Sequence, residues 1–276
     1  MLRPFAQVDV FTATPYRGNP LAVVLDADGL GDDRMQEFAN WTNLSETTFV
    51  LQPESPAADY RVRIFAPGIE LPFAGHPTLG SCHAWLSAGG VPARGEEIVQ
   101  ECGAGLIRIR RSGERLTFAA PPLRPDKRAG ADLADRAAAQ LNIDPAAVVD
   151  ILQAGHGATQ IAVLLDSAEA VLAIRPGQVE GDLGVVGLYP PGSAAAYEVR
   201  VFFVKDGSTV EDPVTGSFNA MLAQWLIGSG RARPPYVAWQ GTALGRHGRV
   251  HVTSDSDGTI WIGGGTVTCI TGTVDL

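Results

Sequence analysis

Cysteine is scarce in this chain. Cys82, Cys102 and Cys269 are three among 276 residues, odd in number and far apart. That argues against a disulfide framework and a cysteine-built zinc site, and it leaves buried thiols in a reducing cytoplasm as the expectation. Charge is also sparse, at 18% of residues with a net value of −9, and no Lys/Arg-rich run occurs. The balance argues against a nucleic-acid partner. An anionic ligand must then be held by local dipoles or single arginines, not by the field of the whole protein. No stretch reaches the ~20 apolar residues that span a bilayer, so no membrane partner is expected. Residues 1–9 are too polar and too short for a signal peptide. The five histidines, at 76, 83, 156, 247 and 251, show no metal spacing backed by carboxylates. The glycine-bearing step from Gly75 to Gly80 lacks the Lys-Ser/Thr of a phosphate loop. Neither a dinucleotide fingerprint between a strand and a helix nor a Gly-x-Ser-x-Gly elbow is present.

What is present is a repeated motif. Glu211-Asp212-Pro213-Val214-Thr215-Gly216-Ser217 echoes Glu70-Leu71-Pro72-Phe73-Ala74-Gly75-His76. Each opens an apolar run with helical spacing: Leu79, Cys82, Ala84, Trp85 and Leu86 in the first, Ala220, Met221, Leu222, Trp225 and Leu226 in the second. A proline turn, a glycine and a small polar residue before such a run read as a helix N-terminus. Its free N–H groups and positive dipole end favour anions. Two such ends suggest two helices serving one small acidic ligand.

Other segments repeat at nearly the same offset. Residues 19–26 resemble residues 159–166, and Asp166 follows Asp26 by 140 positions. Tyr60-Arg61-Val62-Arg63-Ile64-Phe65 resembles Tyr197-Glu198-Val199-Arg200-Val201-Phe202 at an offset of 137. The two Glu-x-Pro motifs differ by 141 and Gln100 and Gln240 by 140. Four matches in order point to a duplication, against the alternative that Val-rich strands resemble one another by chance. The Pro-rich step at 121–125 is the best linker, giving an N-terminal domain of residues 1–122 and a C-terminal domain of residues 123–276 whose last strand can return to the first.

Read in order, residues 7–12 and 21–25 are strands, and Asp32 and Asp33 are candidate caps for a helix with Met35, Phe38, Ala39 and Trp41 on one side. Residues 47–51, 60–65, 97–101, 106–110 and 115–119 follow as strands. The second half opens with a helix near 133–141. Strands are expected at 161–165, 185–189 and 198–204, and Ser167 is expected to cap a short helix to Ile174. Closing strands fall near 250–253, 259–262 and 266–271. Each half is strand-rich with one strongly apolar helix, which a curved sheet should wrap. The pattern is α+β, without the strand–helix alternation of a doubly wound fold.

Several residues carry chemistry. Glu46 lies between helix and strand in apolar company, where a carboxyl can be held for acid/base work; the plainer reading is a solvated turn residue. Asp212 reads as a local helix cap or as an acid/base partner. His76, at a helix start, tends to lose its proton and can then shuttle one, or it is structural. Ser45 and Ser217 either cap or bind ligand.

Together these residues resemble one family. Gly18-Asn19-Pro20-Leu21-Ala22-Val23-Val24, Asn43-Leu44-Ser45-Glu46-Thr47, Arg63-Ile64-Phe65-Ala66-Pro67, the step from Pro72 to Gly80, the step from Glu211 to Ser217, and Gln240-Gly241 look like the phenazine-biosynthesis PhzF-like family. The resemblance runs nearly end to end. It implies a diaminopimelate epimerase-like fold, with two pseudo-symmetric domains, each a curved, mostly antiparallel sheet around a central helix, and the site in the cleft between them. It implies a cytoplasmic homodimeric isomerase that shifts a proton on a small anionic metabolite without a cofactor or metal. By that resemblance Glu46, His76 and Asp212 are catalytic, and Asn19, Ser45, Gly75, Gly216 and Ser217 bind substrate. The epimerases carry a cysteine base on each side of their cleft. Here Gly75 and Gly216 occupy the matching turns, which argues against two-cysteine racemisation. Phe218-Asn219 departs from the family's more usual residues after Gly-Ser, so the substrate is not fixed by the resemblance. Two other functions remain open at this point: a small-molecule binding or regulatory protein on the same scaffold, and a metal-dependent hydrolase using His76 with Asp212.

Overall fold

The computed structural model describes residues 1–125, 132–155 and 159–276. His156 therefore lies outside the described residues. The chain forms two compact units, one of Met1–Ala119 with Gly263–Leu276, the other of Ala120–Ile262.

In the first unit, β1 (Leu2–Val10) and β2 (Asn19–Val24) are antiparallel, with Phe5 opposite Val24 and Val10 opposite Asn19. Helix α1 (Asp32–Thr42) crosses to β3 (Thr47–Leu51), which runs parallel to β2. β4 (Tyr60–Ala66) is antiparallel to β3 and folds back as the short β5 (Ile69–Leu71). Helix α2 (Gly75–Ser87) then carries the chain to β6 (Glu97–Cys102), parallel to β4. β7 (Gly105–Ser112) and β8 (Arg115–Ala119) continue antiparallel.

The second unit repeats this order of pairings. After the short β9 (Arg124–Pro125) and α3 (Leu133–Leu141), β10 (Asp150–Gly155) is antiparallel to β11 (Gln160–Leu165). α4 (Ala168–Ala173) leads to β12 (Asp182–Leu188), parallel to β11. β13 (Tyr197–Lys205) and β14 (Ser208–Asp212) are successive antiparallel neighbours. α5 (Gly216–Gly228) precedes β15 (Tyr236–Gln240), parallel to β13, and β16 (Gly248–Ser254) is antiparallel to β15. β17 (Ile260–Gly264) follows. The final strand β18 (Thr266–Asp275) belongs to the first unit and lies antiparallel to β1. The architecture is α+β, with a mostly antiparallel, curved sheet around one central helix in each unit.

The central helices are apolar nearly all round because they are covered nearly all round. α2 packs on β1, β2, β3, β8 and β18, and its residues from Gly75 to Cys82 are all buried. Two of its buried polar side chains are satisfied inside: Ser81 donates to the Thr48 hydroxyl at 2.8 Å, and Thr78 to the Ala74 carbonyl at 2.9 Å. In the second unit Phe218 of α5 lies on Gly184 of β12. A Cβ there would come within 2.1 Å of the ring, so only glycine fits. A second core, formed by Leu141, Val163, Val171, Leu183 and Phe202 among others, includes residues of α3 and α4.

The repeated residues have a common use. Arg63 grips Glu70 with Nε to Oε1 at 2.8 Å and Nη2 to Oε2 at 2.7 Å. Arg200 grips Glu211 in the same way, at 3.1 and 2.8 Å. Each fork pins the hairpin that delivers the chain to its central helix, in the bidentate geometry that arginine favours. Each guanidinium also lies near an aromatic two residues on, 5.1 Å from the Phe65 ring and 5.0 Å from the Phe202 ring.

Trp41 lies on the Phe38 side of α1 and stacks on that ring, but it is 79% exposed while Met35 and Ala39 are buried. Two local expectations need correction. Asp32 and Asp33 do not cap α1, whose N-cap is Gly31; Asp32 instead accepts from Arg63 at 2.6 Å. The strands β5, β10, β14 and β15 were not anticipated. β5 and β14 are too short to show alternation, and both lie inside what reads as turn chemistry. Ser167 does cap α4, accepting from the Ala170 N–H at 3.2 Å.

Candidate active site

In the first unit three separate segments meet. Asn43 ends α1 in the left-handed conformation, φ 55°, which asparagine tolerates. The chain then turns through Ser45 and Glu46 into β3, with the Thr42 and Thr47 hydroxyls 2.7 Å apart across the turn. His76 is the second residue of α2, and Asn19 is the first of β2. Asn19 Nδ2 lies 3.4 Å from His76 Nδ1. Asp9 sets the loop before Asn19, its Oδ2 accepting from the N–H groups of Arg17 at 2.7 Å and Gly18 at 2.9 Å. A side chain at 18 would strike the Val10 carbonyl at 2.1 Å, so the approach requires glycine.

The imidazole faces the carboxyl. His76 Nε2 is 3.4 Å from Glu46 Oε2, with side-chain exposures of 4% and 16%. That is longer than a formed hydrogen bond, and among the described residues Nε2 has no closer hydrogen-bond partner. Burial pushes His76 down to about 3, opposed in part by a hydrogen bond with the Pro20 backbone. The helix N-terminus acts in the same direction. The ring is therefore neutral at physiological pH, and the contact with Glu46 is not a salt bridge. A neutral imidazole next to a carboxyl holds at most one proton in the gap, on nitrogen or on oxygen, and can pass it either way.

In the second unit Asp212 is the last residue of β14 and is buried. Its Oδ2 accepts from the Thr215 hydroxyl at 2.6 Å. Thr215 is the N-cap position of α5, followed by Gly216 and Ser217 in the first turn. Neither α2 nor α5 has a side-chain hydrogen bond capping its N-terminus. Such an end is the kind that receives an anion.

Sequence reasoning did not assign a role to the two glutamines. Both are fully buried. Gln100 accepts from Tyr60 at 2.9 Å and donates to Thr78 in the first turn of α2 at 3.1 Å. Gln240 accepts from the Thr215 N–H and from Asn219 Nδ2 in the first turn of α5, at 3.0 and 2.8 Å. The recurrence of glutamine 140 positions apart was the signal.

The cysteines offer no base. Burial pushes the Cys82 thiol up to about 12, and it raises Cys102 and Cys269 as well. Among the described residues no group of three His, Cys, Asp or Glu side chains is arranged to hold a metal ion. Among the described residues no helix is long and apolar enough to cross a membrane.

The fold and the two helix ends define an epimerase-like α+β scaffold. Comparison with known proteins agrees. The model of the phenazine biosynthesis-like PhzC/PhzF proteins matches residues 8–272. Antisense-enhancing sequence 1 of Schizosaccharomyces pombe is 35% identical over 97% of each chain. An uncharacterized isomerase of Pasteurella multocida is 33% identical over 96% of this chain and 92% of that one. Over a shorter stretch of 80 residues, 29% of this chain and 28% of the other, trans-2,3-dihydro-3-hydroxyanthranilate isomerase of Pseudomonas aeruginosa is 51% identical. The crystal structure of a PhzF-family phenazine biosynthesis protein from Bacillus anthracis has the same fold, with a TM-score of 0.83 over 100% of both chains at 24% identity. The chain belongs to the PhzC/PhzF phenazine biosynthesis-like family, and its enzyme class is isomerase.

Proposed function

We propose that this chain is a cofactor-independent isomerase that moves a proton on a small carboxylate-bearing metabolite by acid/base catalysis. The observation that carries the reading is the Glu46–His76 pair. A carboxyl group and an imidazole kept neutral by burial stand 3.4 Å apart, with 16% of the carboxyl side chain still exposed. Glu46 takes the proton from one carbon of the substrate and returns it to another. His76 supports the exchange by holding or supplying the shared proton. Asn19 positions the ring, and Ser45 binds substrate beside Glu46.

The free N–H groups at Gly75 and Gly216, with the Ser217 side chain, bind the substrate carboxylate, and Asp212 is the second acid/base group. That both helix ends serve one substrate in an interdomain cleft follows from the family resemblance. So does a homodimeric assembly, which sedimentation at micromolar concentration tests. Three thiols, none in a disulfide, suit a cytoplasmic setting.

The substrate class is tested by incubating the protein in deuterium oxide with trans-2,3-dihydro-3-hydroxyanthranilate and, separately, with a metabolite extract. Deuterium entering a carbon position of a carboxylate supports the reading. Tight binding of a carboxylate with no exchange would make the chain a binding protein on the same scaffold. Loss of exchange on adding a chelator would overturn the metal-free mechanism.

A further inference from the structure

The position of Asp212 in the first repeat is held by Leu71, and that of Thr215 by Ala74. The hairpin, the proline turn and the helix start form in both units, so the architecture does not need a carboxylate or a hydroxyl at these two places. Asp212 and Thr215 nevertheless appear together in the second repeat and bond to each other.

The surrounding amides fix the direction of that bond. A backbone N–H can only donate, so the Gln240 atom facing the Thr215 N–H at 3.0 Å must be Oε1. The other end of the amide is then Nε2, 2.9 Å from the Thr215 hydroxyl and 3.3 Å from the Asp212 carbonyl. An amide nitrogen donates as well, so the Thr215 oxygen accepts from it. The hydroxyl proton is left to point at Asp212 Oδ2, 2.6 Å away. Asn219 locks the same amide. Its Nδ2 must donate to the Thr215 carbonyl at 3.0 Å, and it also donates to Gln240 Oε1 at 2.8 Å.

We propose that Gln240 is a positioning residue for Asp212, acting through the Thr215 hydroxyl. The chain of donors runs one way, from Gln240 Nε2 to Thr215 and from Thr215 to Asp212. It presents Asp212 Oδ2 to the site as a hydrogen-bond acceptor already supplied with a donor, in one rotamer. The first repeat shows what the duplicated glutamine does without this task. Gln100 Nε2 donates to Thr78, but Thr78 passes its proton to the Ala74 carbonyl of its own helix, at 3.1 and 2.9 Å. The relay there ends on backbone; in the second repeat it ends on a carboxylate.

The inference rests on Asp212 serving the proposed proton shift, and its test separates the two. The protein is labelled with 13C at aspartate carboxyls, and the Asp212 signal is identified by its loss in Asp212→Asn. At pH 7, Thr215→Val should move the Asp212 carboxyl shift, and Thr215→Ser should restore it. The Thr215 hydroxyl proton should exchange with water roughly tenfold faster in Gln240→Met, the loss of one neutral amide-to-hydroxyl bond, while Gln100→Met leaves that rate unchanged. Valine has nearly the size and shape of threonine and so fits at 215, and a folding failure of Gln240→Met does not remove the test on Thr215.

On whichever substrate shows deuterium exchange, Thr215→Val should lower the rate at saturation about tenfold or more, the loss of the hydroxyl-to-carboxylate bond, with the apparent KM changed less than threefold. An Asp212 signal unmoved in Thr215→Val overturns the relay whatever the activity. A moved signal in a protein that exchanges no substrate leaves the relay standing and overturns the function.

Discussion

Replacing His76 by glutamine should remove a specific part of the acid sensitivity of this fold. The ordinary value for histidine is 6.5, and burial lowers His76 to about 3. Only 4% of the side chain is exposed, so solvent screening is slight. A group lowered on folding binds its proton more readily in the unfolded chain. Its contribution is fully present above about pH 6.5 and is lost as pH falls toward 3. Each unit inside that window costs at most ~1.4 kcal/mol. Between pH 7.5 and 4.5 the wild type should therefore lose about 2–3 kcal/mol through His76 alone. His76→Gln keeps a polar side chain in the pocket and cannot titrate. Urea unfolding of both proteins at the two pH values measures the difference, and effects of groups that do not touch His76 cancel in the comparison. If the two stability curves run parallel between pH 7.5 and 4.5, the histidine is charged or exposed in the folded state, and the neutral-imidazole reading fails.

Other predictions follow from the duplicated parts. The Arg200–Glu211 fork is nearly buried, with exposures of 6% and 9%, whereas Arg63–Glu70 shows 16% and 42% and keeps Asp32 as a second partner. Glu211→Gln should cost about 3–5 kcal/mol, the range for breaking a buried pair. Glu70→Gln should cost about 1 kcal/mol or less; equal losses in denaturant titrations would contradict the asymmetry. Gly184→Ala drives a methyl into the Phe218 ring and should destabilise by about 1–3 kcal/mol, with Phe218→Leu restoring part of the loss. Failure of the double variant to recover would mean the strain lies elsewhere.

The duplication was legible because the residues that repeat are those that position the helix ends. Arg63 with Glu70 and Arg200 with Glu211 form the same fork although they stand 7 and 11 positions apart, because each hairpin brings its arginine and glutamate side by side whatever its length. Gln100 and Gln240 also repeat, but their task is invisible in sequence, since a lone glutamine before a glycine turn has no signature. Helical spacing put Trp41 on the Phe38 side of α1 but did not show its exposure, because spacing marks a face without saying whether anything covers it. β5 and β14 escaped because a strand of three to five residues inside a Glu-x-Pro turn carries no alternation to read. Glu46 and His76 are thirty positions apart in the chain, and only the packing of α2 against β3 shows them as a pair.

The most direct test of the proton-shift account is solvent-deuterium incorporation by Glu46→Gln and wild type on the same carboxylate substrate. Glutamine keeps the shape and hydrogen bonding at position 46 but cannot take up the proton. The account predicts that the substrate still binds while exchange falls by ~10²–10⁴. Exchange at the wild-type rate in Glu46→Gln would show that Glu46 is not the base, and His76 would take its place.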